Sequence, residues 1–346
     1  MKEKYLIEKT EYFVIDILKF IAAYMIMAIH FMPFEDINKE LNFWFTQILC
    51  RLAVPFFFIA AGYFAANKLQ DGKKTILYLK RLLFMYLIYT AIYIPFIIGE
   101  YNEHGYSTFA KIGYFFKALF LTGSYFHLWY FLALMIAVGM IYCFIHYIKL
   151  SDKQMIIVTG ILYVIGTMGN AYRNIWKEVI FVDRLFSIYE VVFESTVFLM
   201  GPFLIVLGYL VKKNASKIKY RQYWLYAIVL FIVMNLEEYF VRSVTGHAGQ
   251  SMLFTTPFVV LALFLTGCFI RVPENWVPVG KFLRNMSVII YGLHIFLHVK
   301  YGNELSGFAP YGFVYYLMMV KRMTIISFVV VGISRFKIFS WLKYLY

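Results

Sequence analysis

The chain has 346 residues, 62% of them hydrophobic, and its 33 Lys and Arg against 19 Asp and Glu give a formal net charge of +14. A soluble protein of this length could not bury so much apolar surface, so the composition excludes a soluble protein and predicts a polytopic one in a lipid bilayer. No stretch has soluble-domain composition, and we predict one all-α transmembrane domain over residues 1–346. Nucleic acid is not predicted as a partner, because the basic residues sort by side of the membrane.

Apolar runs predict a bundle of about ten transmembrane helices. The first run is too long for a signal peptide, carries charges and has no small-residue cleavage site after it, so we expect it to remain as a span. The fifth span is short and Gly-rich, and the ninth is weak enough to be partly broken. Segment 109–121 predicts an amphipathic helix on the outer surface. The ten predicted spans cover residues 12–34, 43–67, 79–99, 126–147, 154–171, 190–211, 223–241, 253–271, 286–302 and 311–333.

The distribution of Lys and Arg predicts that both termini are cytosolic. With the N-terminus inside, the inner connections hold 21 basic residues and the outer ones 8, and the remaining 4 of the 33 lie within spans. This asymmetry follows the positive-inside rule. Cys50, Cys143 and Cys268 lie singly in apolar runs, and we interpret them as small apolar fillers with neither a disulfide framework nor a metal-binding spacing.

The first predicted span carries three ionisable residues, Asp16, Lys19 and His30. Lys19 and His30 are eleven residues apart, so they share one helix face and lie roughly 16 Å apart along the axis. Asp16 lies one turn below Lys19 on nearly the same face. Ionisable groups at membrane depth need a partner, a water-filled cavity or a function. Two structural alternatives stay open: Asp16 and Lys19 form only an ion pair, and His30 is only a satisfied buried histidine.

Ionisable residues in the other predicted spans divide by depth. The cations Lys19, Arg51, Lys321 and Arg322 lie deeper than the rest, and only one of the last two can easily face the centre. The pattern predicts a positive channel leading to an outer chamber, with hydrated interface groups as the alternative for the outer residues. For Arg51, which is costly in mid-membrane, we favour a functional cavity. The outer-half residues are His30, His127, Glu194, Glu237, Glu238, His294 and His298.

Five stretches, in chain order, resemble the acyltransferase-3 family of bacterial membrane O-acyltransferases. D-I-L-K-F-I-A-A-Y-M-I-M-A-I-H, from Asp16 to His30, is similar to the family's basic-x10-His signature, with Lys19 where the family usually has Arg. The others are R-L-A-V-P-F-F-F-I-A-A-G-Y from Arg51, H-L-W-Y-F-L-A-L from His127, F-L-M-G-P-F-L-I-V-L-G-Y-L from Phe198 and Y-G-L-H from Tyr291. The first three also resemble the membrane half of the membrane-bound serine racemases of glycopeptide (vancomycin) resistance.

The resemblance to acyltransferase-3 implies an enzyme of the bacterial plasma membrane that moves an acyl group from a cytosolic acyl-CoA to an outer hydroxyl acceptor. His30 would act as general base, Glu194 would orient its imidazole, and Arg51 would meet the donor or the developing oxyanion. Acetyl-CoA would be a co-substrate, the acceptor a cell-wall sugar or serine, and no tightly bound cofactor or metal is expected. The expected donor- or substrate-binding residues are Asp16, Lys19, Arg51, His127, Trp129, His294 and Arg322.

The resemblance to the serine racemases implies an alternative, in which the chain is a serine transport domain. Arg51 or Lys19 would meet the carboxylate of serine and Glu194 its ammonium group. In those proteins a cytosolic racemase domain follows the membrane domain, so a racemase domain after the C-terminus is an expected partner. A purely structural assembly partner is the third hypothesis, and it leaves Arg51 in mid-membrane unexplained.

Overall fold

The computed structural model describes residues 12–176, 179, 181, 183–187, 196–246, 252–301 and 311–346. All regular structure in these ranges is helical, which confirms the predicted all-α class. A 3₁₀ segment, Lys337–Leu345, follows the last helix. The helices are α1 (Phe13–Phe31), α2 (Lys39–Leu69), α3 (Gly72–Glu103), α4 (Thr108–Lys117), α5 (Trp129–His146), α6 (Asp152–Gly169), α7 (Gly201–Lys213), α8 (Tyr223–Thr245), α9 (Thr256–Phe269), α10 (Val277–Tyr301) and α11 (Phe313–Ile333).

Seven of the described helices are long and apolar enough to cross a membrane: α1, α2, α3, α5, α8, α11 and the stretch Glu274–Lys300, which includes all of α10 but its last residue. The chain is therefore a multi-pass membrane protein. The predicted count of about ten is not confirmed, although α6, α7 and α9 overlap the fifth, sixth and eighth predicted spans. Large apolar side chains such as Leu77, Leu236 and Phe328 are exposed on outward helix faces, as lipid contact requires.

Helix α1, which carries three of the predicted site residues, and helix α10, which carries a fourth, run parallel and side by side. Asp16 near the start of α1 pairs with Arg284 near the start of α10, and His30 near the end of α1 stacks against His294 further along α10. Gly280 keeps the two starts close, because a Cβ there would lie 2.9 Å from the Phe13 ring. The parallel pairing brings the polar groups of two predicted spans together at two levels.

The closest helix contact is between α2 and α7, which meet backbone to backbone through two glycines. A Cβ at Gly62 would lie 2.2 Å from the Ile205 carbonyl oxygen, and one at Gly208 would lie 2.0 Å from the Ile59 carbonyl oxygen. Small residues at helix interfaces let membrane helices pack closely. Close packing is needed there because lipid tails are as apolar as the side chains, so the hydrophobic effect does not drive helix association. This contact fixes α2, the helix that carries Arg51.

We expect Gly62→Ala to destabilise the fold, because the new methyl group would collide with the Ile205 carbonyl and force α2 away from α7. Overpacking of this kind costs about 1–3 kcal/mol. The measurement is the midpoint of thermal unfolding of the purified chain in detergent. Gly139→Ala is the matched control, since nothing lies within 4 Å of a Cβ there and Ala favours the helix. Equal midpoints for the two variants would contradict this description of the interface.

Candidate functional site

A small cavity, called here the outer cavity, lies among α1, α2, α5 and α10 and has a volume of about 70 Å³. That is room for a few water molecules or a small polar group. Its polar wall consists of His30, Arg51, His127, Trp129 and Tyr291, and its apolar wall of Ile26, Ile29, Val54, Pro55 and Met200. Four residues predicted for the site, from three predicted spans, are therefore brought together around one space.

Arg51 reaches the outer cavity from an irregular part of α2. The helix runs as a π-helix over Trp44–Leu49 and as a 3₁₀ turn over Cys50–Leu52 before it becomes regular. Such interruptions re-aim side chains and are frequent at functional sites. The Arg51 Nε and Nη2 atoms donate to Gln47 Oε1 at 3.2 and 2.7 Å. The guanidinium also interacts electrostatically with Glu238. Glu238 is fully buried on α8, so the alternative of a hydrated interface group is wrong for this residue.

His30 is held in the cavity wall by ring contacts. Its imidazole lies 5.4 Å from the Phe126 ring and 5.3 Å from the His294 ring, centroid to centroid. Neither ring nitrogen makes a hydrogen bond to any residue that the structure describes. An imidazole placed in this way has a nitrogen available to take a proton from a molecule in the cavity.

Backbone carbonyls fix the tautomers of two further histidines. His294 Nδ1 lies 2.8 Å from the Tyr291 carbonyl oxygen, and His127 Nε2 lies 3.4 Å from that of Gly292. A carbonyl only accepts, so these nitrogens carry the protons and the other nitrogen of each neutral ring has a lone pair. Those nitrogens, His294 Nε2 and His127 Nδ1, are buried without a hydrogen-bond partner among the described residues. They are acceptors available to a ligand or to water.

A second and larger space, called here the inner cavity, has a volume of about 430 Å³ and a basic wall. Lys19 Nζ lies 4.4 Å from the centroid of the Phe64 ring, and Arg284 forms its ion pair with the buried Asp16 at 3.5 Å. Aromatic rings and apolar side chains make up most of the remaining wall. The four cations that line the inner cavity are Lys19, Lys68, Arg81 and Arg284.

The two cavities meet at Tyr291. Its side chain lines both of them, and its hydroxyl donates a hydrogen bond to the His127 backbone carbonyl. Along α1, Lys19 faces the inner cavity and His30 the outer one, and the eleven residues between them span roughly 16 Å of helix. The row of polar groups predicted on α1 therefore extends from the inner cavity to the outer cavity.

The remaining predicted site residues have different outcomes. Arg51, expected among the deeper cations, lines the outer cavity with His30. Arg322 is half-buried while its neighbour Lys321 is exposed, and Arg322 lines neither of the two cavities. Glu194, expected to orient His30, lies outside the described residues. Among the described residues, no group of three or more His, Cys, Asp or Glu is arranged to hold a metal ion.

The sequence reasoning missed several cavity residues. Lys68, Arg81 and Arg284 are among the 21 basic residues of the predicted inner connections, where the sequence indicates only orientation, yet each lines the inner cavity. For Tyr291 the sequence indicates no role beyond its place at the start of the Y-G-L-H stretch. The sequence does contain a hint for the three cations. All three lie within a few residues of the inner end of a predicted span, where a long side chain can turn back into the bundle.

Comparison with known proteins connects the chain to two groups. Residues 12–341 match the sequence model of the acyltransferase-3 family, which is described as "Acyltransferase domain". An amino-acid racemase from Enterococcus faecalis and a serine/alanine racemase from Enterococcus gallinarum are each 27% identical over 81% of this chain and 40% of their own length. Another Enterococcus faecalis amino-acid racemase is 28% identical over 60% of this chain.

The chain spans 29–40% of the length of these curated relatives. No solved structure matches the chain. The predicted resemblance, both to the acyltransferase family and to the racemases, is thus confirmed.

Proposed function

The chain belongs to the acyltransferase-3 family, and from this premise we propose that it is a membrane O-acyltransferase. It moves an acyl group from an acyl-CoA in the inner cavity to an acceptor whose hydroxyl group enters the outer cavity. The observation that carries the proposal is the meeting of the two cavities at Tyr291, with cations on one side and His30 on the other.

The inner cavity suits the donor because of its charge. An acyl-CoA carries several phosphate charges, and four cations face the inner cavity. Basic side chains attract phosphate strongly where water is partly excluded. Lys19 would hold the donor as a point charge, since Lys lacks the planar fork of Arg. Asp16 keeps Arg284 in place through their ion pair and takes no direct part in donor binding.

The outer cavity suits the acceptor and the chemical step. His30 takes the proton of the acceptor hydroxyl as its oxygen bonds to the acyl carbon, the carbon–sulfur bond breaks, and His30 returns the proton to the departing thiolate. Arg51 faces the same space and stabilises the negative charge that develops on the acyl oxygen. The free nitrogen of His127, which lines the outer cavity, accepts a hydrogen bond from a further acceptor hydroxyl, as a cell-wall sugar or serine would offer.

A carrier for a small amino acid such as serine is the second candidate. The names of the enterococcal relatives, which contain "racemase", favour it, as does the placement of two cavities end to end. In this alternative, Arg51 meets the carboxylate, and a racemase domain follows the membrane domain. The two candidates differ in one observable, which is whether CoA is released.

The proposed topology has ten spans with both termini in the cytosol of a bacterial cell. The parallel course of α1 and α10 supports it, because these helices are spans one and nine, which cross in the same direction. We expect a fluorescent protein fused after Tyr346 to fluoresce, and alkaline phosphatase fused after Glu103 to be active. Phosphatase activity at the first position, or its absence at the second, would contradict the topology.

We expect His30→Ala to lower the rate of acyl transfer about 10²–10⁴-fold, the usual contribution of a general base, with donor binding unchanged. The measurement is CoA release from acetyl-CoA by the chain in proteoliposomes, with L-serine and cell-wall sugar fragments tested in parallel as acceptors. His104→Ala, an exposed histidine at the end of α3, is the control. Uptake of labelled serine without release of CoA would overturn the enzyme in favour of the carrier.

We expect the double variant Lys68→Gln, Arg81→Gln to raise the Kd for acetyl-CoA at least about tenfold, since each lost charge-assisted hydrogen bond is worth about 1.5–3 kcal/mol. Isothermal titration calorimetry at two salt concentrations measures it, and the wild-type affinity should fall more steeply with salt than that of the variant. Lys73→Gln, an exposed cation in the first turn of α3, is the control. Equal Kd values for the double variant and the control would refute donor binding in the inner cavity.

A further inference from the structure

Tyr291 forms part of the wall between the two cavities. It is 5% exposed, and its ring packs against Tyr130 at 5.6 Å and Phe131 at 5.4 Å, both on α5. Its hydroxyl is anchored to the His127 backbone just before α5 begins. The tyrosine therefore closes the gap between α10 and α5 at the level where the basic wall ends and the histidines begin.

A wall at this level is required by the position of the cavities. The two spaces lie in opposite halves of a membrane bundle, and a continuous polar passage between them would let ions and water cross. An acyl group on its way from the inner to the outer cavity must nevertheless pass the same point. A residue there has to close the passage at rest and still be able to move.

The Tyr93 side chain on α3 bonds to the backbone of α10 next to Tyr291. The Tyr93 hydroxyl donates to the Gly292 carbonyl at 3.0 Å and accepts from the Phe296 N–H at 2.8 Å. The same two backbone groups are hydrogen-bond partners of each other within an α-helix, so the hydroxyl competes for both. Side chains that compete with the helical hydrogen bonds are a recognised cause of helix bending. Gly292 also lets α3 lie close to α10, because a Cβ there would lie 2.1 Å from the Tyr89 ring.

We propose that Tyr291 is a gate between the cavities and the residue that the acyl arm of the donor contacts as it passes to His30. The hydrogen bonds of the Tyr93 hydroxyl to the α10 backbone give the helix a bending point one residue from Tyr291. In the resting state the ring seals the inner cavity from the outer one, and bending of α10 moves it aside. This inference rests on the proposed function for the identity of the passing group, but the seal itself does not depend on it.

The test is cysteine accessibility in the full chain. The parent carries Ala61→Cys in the inner cavity wall, with the native cysteines removed as C50A, C143A and C268A. A membrane-impermeant methanethiosulfonate reagent is applied to intact cells and, separately, to inverted vesicles. The variants added to this parent are Tyr291→Ala, Tyr291→Phe and the control Tyr78→Ala, which widens the inner cavity without touching the outer one.

We expect the parent, Tyr291→Phe and Tyr78→Ala to react in only one of the two preparations. Tyr291→Ala should react in both, with the rate from the second side raised at least about tenfold. One-sided labelling of Tyr291→Ala, two-sided labelling of the parent, or two-sided labelling of Tyr78→Ala would each overturn the gate. No acyl donor is used, so a failure here counts against Tyr291 alone, whereas absence of acetyl-CoA binding counts against the proposed function.

Discussion

Ionisable side chains inside an apolar bundle are stable only where water, a second charge or a backbone group meets them, and this constraint organises the whole structure. Asp16 meets Arg284, Arg51 meets Gln47 and Glu238, and two histidines meet backbone carbonyls. Lys19, Arg51 and His30 also face a cavity. Polar groups from separate helices therefore collect around two spaces within a bundle whose outward faces are largely apolar.

Two local backbone features make the site. The π-helical and 3₁₀ turns of α2 place Arg51 beside His30, and the Tyr93 hydroxyl bonds to the backbone of α10 beside Tyr291. The first changes the direction in which Arg51 points, and the second gives two backbone groups of α10 a side-chain partner. Close glycine contacts between α2 and α7 hold the first helix in position. The close packing of α2 on α7 thus supports the irregular turns of α2 that place Arg51 at the outer cavity.

The features that depend on composition and helical spacing could be predicted from the sequence. The hydrophobic content predicts the membrane class, and the eleven-residue spacing on α1 puts Lys19 and His30 on the same side, where each faces one cavity. The sequence could not place Arg51 in the outer cavity, because a π-turn changes the angular position of every later residue. Nor could it assign Tyr291, since a tyrosine in an aromatic-rich chain carries no signal until its neighbours are known.

The central claim is that an acyl donor lies in the inner cavity with its acyl end directed past Tyr291 towards His30. Cryo-electron microscopy of the full chain with a non-transferable acetyl-CoA analogue tests it most directly. The account predicts nucleotide density beside Lys19, Lys68, Arg81 and Arg284 and the acyl end within contact of Tyr291. Density elsewhere in the bundle, or none at saturating analogue, would contradict it.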